Sequence, residues 1–233
     1  MRSSAIQPDN KDMPRDAANA ISIDELIKAY GLGYFPMARA RDEDSVVWVL
    51  PDERGLIDLK EARVSRRLKR FIKKEPFEVR LNTAFVDVIA ACAEATPARP
   101  DTWINDAIIE AYTELYFRGF AHSIECWRDG KLVGGLYGIA LGAAFCGESM
   151  FSRATDASKV AMAYLMARLK IGGFDFIDAQ FFNPHLEQFG LKAMTNEDYQ
   201  MRLTEALSKP ADFHSASARL SATRVLQSIT HTS

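Results

Sequence analysis

Residues 143–159 read Ala143-Ala-Phe145-Cys-Gly147-Glu148-Ser-Met150-Phe151-Ser152-Arg153-Ala-Thr155-Asp156-Ala157-Ser-Lys159. The run Ala143–Phe151 has the apolar weight of a strand, yet an acid and hydroxyls interrupt it. Gly147 lets another backbone come close. Thr155 or Asp156 then offers an N-cap to a long helix over Ala157–Ile171, which Gly172-Gly173 closes. Upstream, Ala121–Trp127 and Leu132–Ala140 read as two further strands, with Asp129-Gly130 as a tight hairpin and Gly142 at the second turn. Downstream, Phe174–Phe181 is a strand and Pro184–Phe189 a short helix that stops at Gly190. The order βββαβα predicts an α+β fold, a mixed sheet with flanking helices.

Working outward to the N-terminus, Ser22 and Glu25 form a candidate capping box for a helix whose apolar face is Leu26, Ile27 and Tyr30. Gly31, Gly33 and Pro36 end it in a turn. Val46–Leu50 and Gly55–Leu59 are short strands, so 21–60 reads as a small N-terminal α/β domain before a larger one over 61–233. From Glu61 to Lys74, Val64, Leu68, Phe71 and Ile72 recur on one helical face. Phe77–Leu81 alternates as a strand, and Thr83–Glu94 and Asn105–Arg118 are amphipathic helices. Residues 1–20 are polar and aperiodic and read as a disordered arm; the Ser-, Ala- and Thr-rich tail beyond Lys209 reads as partly ordered.

With 233 residues, 48% hydrophobic and 26% charged, the chain has the composition of a globular protein that buries a core without staples. A net charge of −2 supplies no global attraction for DNA, nucleic acid in general or a membrane, so any polyanion contact must be local. Cys92, Cys126 and Cys146 fit neither a disulfide framework nor a zinc spacing, and read as buried small hydrophobes in a reducing compartment. The N-terminal run has no apolar signal core, and no stretch approaches 18 apolar residues. The expected location is cytoplasmic.

Three features carry chemistry. Strict alternation along 145–152 puts Phe145, Gly147, Ser149 and Phe151 on one sheet face and Cys146, Glu148, Met150 and Ser152 on the other. An acid beside a thioether suits a substrate with an apolar side chain and an α-ammonium group; equally, Glu148 reads as an ion-pair partner of Lys159 or Arg153. Asp178 and Gln180 lie i, i+2 at the end of a strand, with Ile177 opposite. A Gln carbonyl can accept a hydrogen bond from an attacking amine and orient it, with the neighbouring carboxylate polarising the arrangement. The third feature is one-signed: Arg63, Arg66, Arg67, Lys69, Arg70, Lys73 and Lys74 place seven cations in twelve residues, with no acid between Ala62 and Lys74. Such a patch suits phosphates, or is a solvated face.

The three features occur in one order with further runs. These are Ala29-Tyr30-x-x-Gly33-Tyr-Phe35-Pro36, Val64-Ser65-Arg66 through Lys69-Arg70-Phe71, Thr102-Trp103-Ile104 and Ala121-His-Ser-Ile-Glu125-x-Trp127. Leu132-Val-Gly-Gly-x-Tyr-Gly138, Gly147-Glu-Ser-Met-Phe-Ser-Arg153 with Asp156-Ala-Ser-Lys159, and Ile177-Asp-x-Gln180 with His185-Leu186 and Gly190 complete the set. Over roughly Ile23 to Leu203 the chain resembles the leucyl/phenylalanyl-tRNA–protein transferase family. The resemblance implies a GNAT-like acyltransferase domain and transfer of Leu or Phe, Met less well, from aminoacyl-tRNA to proteins beginning with Arg or Lys. That step marks them for degradation through the N-end rule. By the same resemblance, Asp178 and Gln180 are catalytic, and Phe145, Glu148, Met150, Ser152 and Ile177 surround the aminoacyl group. Tyr30, Met37, Trp103, Tyr112 and Asn183 lie near the terminal adenosine, and the basic helix holds the tRNA stem.

The chain departs from the family pattern where Trp48-Val-Leu-Pro51-Asp-Glu-Arg54 replaces a WWSPDPR-like run, at Met37 where some relatives carry Trp, and at Thr195-Asn196 where Pro-Arg is frequent. These positions bear on the adenosine pocket and the C-terminal helix. An aminoacyl ester is already activated, so the expected reaction calls for no cofactor, metal or side-chain nucleophile, and His122 and His185 read as structural. Three rivals differ in kind. An acyl-CoA-dependent GNAT enzyme needs a Gly-rich pyrophosphate loop that Ser152-Arg-Ala-Thr-Asp156-Ala lacks. A non-catalytic tRNA-binding module has no need of Glu148, Asp178 and Gln180 on one sheet. A relative with altered specificity would take acidic acceptor N-termini.

Overall fold

A computed structural model describes residues 21–41, 43, 45–96 and 102–230. The arm read over 1–20 lies outside them. In chain order the elements are α1 (Ile23–Gly31), β1 (Phe35–Ala38), β2 (Val46–Val49), β3 (Glu53–Asp58), α2 (Arg66–Ile72), β4 (Glu78–Leu81), α3 (Phe85–Ala93) and α4 (Asp106–Phe117). There follow β5 (Ala121–Arg128), β6 (Lys131–Leu141), β7 (Ala144–Ser152), α5 (Ala157–Ile171), β8 (Phe176–Asp178), a 3-10 turn at Pro184–Phe189, β9 (Leu191–Thr195), α6 (Asn196–Leu207) and α7 (Ala222–Thr230).

Strands β1 and β2 form a separate antiparallel pair, while seven strands make one sheet in the order β4-β5-β6-β7-β8-β3-β9. Every neighbouring pair in that sheet is antiparallel except β7 and β8, which α5 connects in parallel. The α+β class with a mixed sheet and flanking helices is what the element order requires. One face of the sheet, with Phe145 and Ile177, packs on α5, α2 and α7; the other, with Cys146, Tyr137 and Phe151, packs on α1, α3 and α4. Strand β3, from the 21–60 stretch, is hydrogen-bonded between β8 and β9, so the N-terminal segment supplies a strand to the larger sheet.

The turn chemistry read in the sequence is present: Asp129 and Gly130 have φ of 52° and 72°, as a two-residue hairpin of this hand requires. Other readings need correction. Ser22 makes no side-chain cap, and Asp156 does not cap α5; its carboxylate pairs with Arg67 at 2.9 Å and Lys159 at 2.8 Å. The basic helix begins at Arg66, where Ser65 Oγ accepts from the Leu68 amide, and not at Glu61. The turn at Pro36 is a strand. The tail is ordered through α7, whose Val225 and Ile229 pack in the core beside α5.

The largest correction concerns β7. Across β6 the register runs Tyr137 to Ser149 and then Gly138 to Gly147, which leaves Glu148 as an extra residue. A bulge of this kind bends the strand and re-aims a side chain. It also breaks the expected alternation: Phe145 and Met150 pack on one core, Cys146 and Phe151 on the other. Glu148 and Met150 therefore do not share a face. A β-carbon on Gly138 would lie 2.3 Å from Cys146 O and 2.5 Å from the Phe145 ring, so the bulge closes only over glycine. Gly138→Ala should lower stability by about 1–3 kcal/mol, read as a shift of the urea midpoint with an unchanged m-value.

Candidate active site

Parallel pairing of β7 with β8 covers only three positions and ends at Cys146 with Asp178. Beyond that point the chains part, and the crevice at the carboxyl end of a parallel strand is where open sheets place ligands. Glu148 enters it from the bulge. Gln180 enters from a turn in which the Phe181 amide donates to Ala179 O at 2.6 Å and Gln180 itself takes φ of 57°. Left-handed backbone at a non-glycine residue costs energy and persists only where its surroundings impose it. Here they do. The Gly55 amide donates to Gln180 O at 3.3 Å, and Ala179 N to Gly55 O at 2.9 Å. A β-carbon on Gly55 would meet Phe181 O at 2.4 Å, so only glycine lets the turn lie this close. This turn is why β8 stops at Asp178 and not at Phe181.

Asp178 holds the turn from inside. Its Oδ1 accepts from the Gln180 amide at 2.8 Å and from Arg54 Nε at 2.9 Å; its Oδ2 accepts from Arg54 Nη2 at 2.7 Å and from the Tyr199 hydroxyl at 2.8 Å. A carboxylate has about four acceptor sites, and all are engaged. Arg54 and Asp178 are both fully buried. Arg54 Nη1 donates to Gly33 O at 2.9 Å, and its guanidinium lies 4.4 Å from the Tyr199 ring and 4.9 Å from that of Phe35. Burial works against the Arg54 charge, but the Asp178 carboxylate more than compensates and raises its pKa.

Glu148 has a different setting. Tyr30 of α1 and Tyr112 of α4 bring their hydroxyls within 2.7 Å of Oε1 and 3.0 Å of Oε2, and the two hydroxyls also contact each other. Gln180 Nε2 donates to Oε1 at 3.2 Å, which turns the Gln180 carbonyl away from Glu148. Among the described residues no cation pairs with the Glu148 carboxyl; burial raises its pKa from 4.5 to about 8, against the two tyrosine hydrogen bonds. The protonated carboxyl therefore predominates at neutral pH.

A family model described as leucyl/phenylalanyl-tRNA protein transferase matches residues 56–204, and one for its N-terminal domain matches 19–52. Three proteins named leucyl/phenylalanyl-tRNA–protein transferase are similar along nearly their whole length. That of Paramagnetospirillum magneticum is 52% identical over 83% of this chain and 92% of its own. Those of Maricaulis maris and Caulobacter vibrioides are each 47% identical, covering 90% and 92% of this chain and 97% and 99% of theirs. The chain belongs to the leucyl/phenylalanyl-tRNA–protein transferase family. It is an aminoacyltransferase by that membership. A solved structure of a functionally unknown conserved protein from Staphylococcus epidermidis aligns at a TM-score of 0.38 with 12% identity over 76% of this chain and 66% of its own, too weak a likeness to define a shared fold.

Of the residues singled out in the sequence, the transferase fold brings Glu148, Gln180, Asp178, Tyr30 and Tyr112 into one hydrogen-bonded cluster. Phe145 and Ile177 are buried neighbours across β7 and β8, with Met150 against the same core. Met37 and Trp103 are part-buried against the opposite core, near the Ala38 amide that donates to Trp103 O at 3.0 Å. Ser152 and Asn183 stand outside the cluster. Ser152 Oγ donates to Ala154 O at 2.8 Å beside the start of α5, and Asn183 caps the 3-10 turn through the His185 amide at 2.9 Å. Arg63, Arg66, Arg67, Arg70, Lys73 and Lys74 are exposed and Lys69 is half-buried; among the described residues only Arg67 of the seven is in an ion pair. Lys69, Arg70 and Lys73 line a cleft with Ala222, Thr223 and Leu226 of α7.

Sequence reasoning missed Arg54 and Tyr199. Arg54 gave one signal, its place at the end of the run Trp48–Arg54 just before the strand read over Gly55–Leu59; Tyr199 gave none, because no local pattern set the bounds of α6. His122, read as structural, stacks on Phe213 at 3.9 Å and contacts Asn82 through Nδ1. Burial lowers its pKa to about 3.

Two predictions follow from this geometry. Arg54→Ala leaves a buried carboxylate unpaired and should cost about 3–5 kcal/mol in equilibrium unfolding. For Glu148 the folded pKa lies above the unfolded one. Its stabilising contribution is whole below about pH 4.5 and is lost as pH rises through about 8. Wild-type stability measured relative to Glu148→Gln should therefore fall by up to about 1.4 kcal/mol per pH unit across that window. The comparison cancels His122, whose opposite effect lies below pH 6.5.

Proposed function

We propose that this enzyme transfers leucine or phenylalanine, and methionine less well, from aminoacyl-tRNA to the N-terminal amine of proteins beginning with Arg or Lys, marking them for degradation through the N-end rule in the cytoplasm. Family membership supports the tRNA donor and the protein acceptor. The observation that carries the mechanism is Gln180: its amide nitrogen is committed to Glu148 and its backbone amide to Asp178, and among the described residues no donor is paired with its side-chain carbonyl, which is the acceptor left for the crevice. An α-amine with pKa near 8 is partly neutral at cytosolic pH. Accepting one hydrogen bond from that amine aims its lone pair at the ester carbonyl, and holding both partners in register removes several kcal/mol from the barrier. Asp178 acts through Gln180, whose turn it anchors.

In this reading Phe145, Met150 and Ile177 border the aminoacyl side chain, with Glu148 at its polar end and Ser152 at the rim. Discrimination among side chains rests on pocket size, about 1–3 kcal/mol per methylene. Tyr30, Met37, Trp103, Tyr112 and Asn183 lie toward the terminal adenosine. The exposed cations from Arg63 to Lys74 hold the tRNA backbone. We also read a small N-terminal domain over 21–60 that lends β3 to a GNAT-like domain over 61–233; the parallel β7–α5–β8 unit among antiparallel strands supports it. Among the described residues no helix is long and apolar enough to cross a membrane.

Incubation with leucyl-tRNA should label peptides beginning with Arg or Lys. Labelling confined to peptides beginning with Asp or Glu would overturn the acceptor assignment, and turnover of acyl-CoA without tRNA would overturn the donor. Asp178→Ala should cut transfer far more than tRNA binding. Neutralising Arg66, Arg67, Lys69 and Arg70 should weaken tRNA binding and flatten its salt dependence by up to roughly 0.7–0.9 in log–log slope per lost phosphate contact. An unchanged slope would remove α2 from the interface.

A further inference from the structure

The cluster around Glu148 contains one contact more than its protons can fill when the carboxylate is ionised. Four oxygens make three contacts: Tyr30 hydroxyl with Glu148 Oε1, Tyr112 hydroxyl with Glu148 Oε2, and the two hydroxyls with each other. Each contact needs one proton. Two tyrosines carry two, so an ionised Glu148 leaves one contact as bare oxygen against oxygen. A protonated Glu148 supplies the third, and the ring closes. Oε2–H donates to Tyr112, Tyr112 to Tyr30, and Tyr30 to Oε1, where Gln180 Nε2 also donates at 3.2 Å. The charge count agrees. Arg54 is already matched by Asp178, so a neutral Glu148 leaves the buried cluster with no net charge, and an ionised one leaves it with an unpaired negative charge.

We propose that Glu148 is the proton-exchange group of the transfer reaction, resting as a carboxylic acid in a closed ring with Tyr30 and Tyr112. This rests on the aminoacyl-transfer reading above and names a role within the same site. Gln180 sets the distance: an amine held on its carbonyl lies one side-chain amide away from the carboxyl that its amide nitrogen touches. In the reaction the amine lone pair forms the C–N bond to the ester carbonyl carbon. The C–O bond to the ribose then breaks with its electron pair left on oxygen. Glu148 gives its proton to that oxygen and takes the surplus proton from the new amide nitrogen. The carboxylic acid is thereby restored, and the products are an amide and a free ribose hydroxyl. Asp178 cannot exchange in this way, because all four of its acceptor positions are occupied by Arg54, Tyr199 and the Gln180 amide.

The groups facing Glu148 are Tyr30 of α1, Tyr112 of α4, Asp178 of β8, Arg54 of β3 and Cys146 on its own strand. The other carboxyl among them, Asp178, has its acceptor positions filled by Arg54, Tyr199 and the Gln180 amide, so two measurements isolate Glu148. The first needs no substrate. Infrared spectra of the full chain at pH 7 should contain a buried carboxylic-acid carbonyl band that is absent in Glu148→Gln and lost from the wild type above about pH 8. The second is single-turnover transfer from leucyl-tRNA to an Arg-initiated peptide across pH 6–10. Wild type should give a bell, rising as the amine loses its proton and falling as Glu148 loses its own. Glu148→Gln keeps a hydrogen-bonding side chain of the same shape, and its rate is read at saturating leucyl-tRNA so that any change in affinity is separated from transfer. Its transfer should be slower by about 10²–10³-fold, with the falling limb gone. A Glu148→Gln enzyme within a few-fold of wild type, with the falling limb intact, would overturn the proposal, as would the absence of the infrared band. Failure of the wild type itself to transfer from any aminoacyl-tRNA would instead sink the functional reading, while leaving the infrared result to stand for the resting proton.

Discussion

Arg54 and Asp178 are bound through two nearly parallel hydrogen bonds of 2.9 and 2.7 Å, with neither side chain exposed to water. Taking two ions out of water costs several kcal/mol each, and attraction offsets this only when geometry is good and the remaining donors are matched. Here the remainder is matched by Gly33 O, the Tyr199 hydroxyl and the Gln180 amide. The pair therefore joins four parts of the chain that are far apart in sequence: the turn after α1, strand β3, the end of β8 and helix α6. Such a pair contributes little net stability but forbids every arrangement that leaves one partner alone. The left-handed turn at Gln180 is one consequence, since Asp178 grips its amide and Gly55 grips its backbone.

A second constraint is geometric. The β7 bulge lifts Glu148 out of the ladder, and the short pairing of β7 with β8 leaves space for the side chain of Gln180 beside it. Glycine makes both approaches feasible, Gly138 under the Cys146 carbonyl and Gly55 under Phe181. The two carboxyl groups of the site thus have opposite electrostatic settings a strand apart. Asp178 faces a guanidinium with every lone pair used; Glu148 faces hydroxyls and an amide, and burial favours its neutral form. Divergent settings of neighbouring carboxyls are how one site assigns separate structural and proton-handling roles.

Much of the architecture was legible in the sequence because periodicity survives without knowledge of partners. The strands from 121 to 151, the hairpin at Asp129-Gly130 and the helix over Ala157–Ile171 all follow from alternation, glycine placement and helical spacing. The candidate residues Glu148, Asp178 and Gln180 were likewise visible as polar intrusions into apolar runs, and the family runs around them fixed the class of enzyme. What was not legible depends on pairing. A strand bulge is defined by the register of its neighbour, so strict alternation put Glu148 beside Met150 and was wrong. Strand β9, helix α6 and the ordered tail carry weak local patterns and gain their stability from packing on the sheet and on α5.

The sequence by itself determined the α+β class, the order of most elements, the one-signed basic face of α2 and the polar residues that are candidates for the site. Each of these is written in local spacing or composition. Only the tertiary structure decided that Arg54 is the counter-ion of Asp178, that Gln180 sits in a forced turn, and that Tyr30 and Tyr112 converge on Glu148. The contacts of Arg54 with Asp178 and of Tyr30 and Tyr112 with Glu148 join residues 36 to 124 positions apart. Their physical basis is the matching of buried donors to acceptors and of charge to charge, which no residue can satisfy from its own segment.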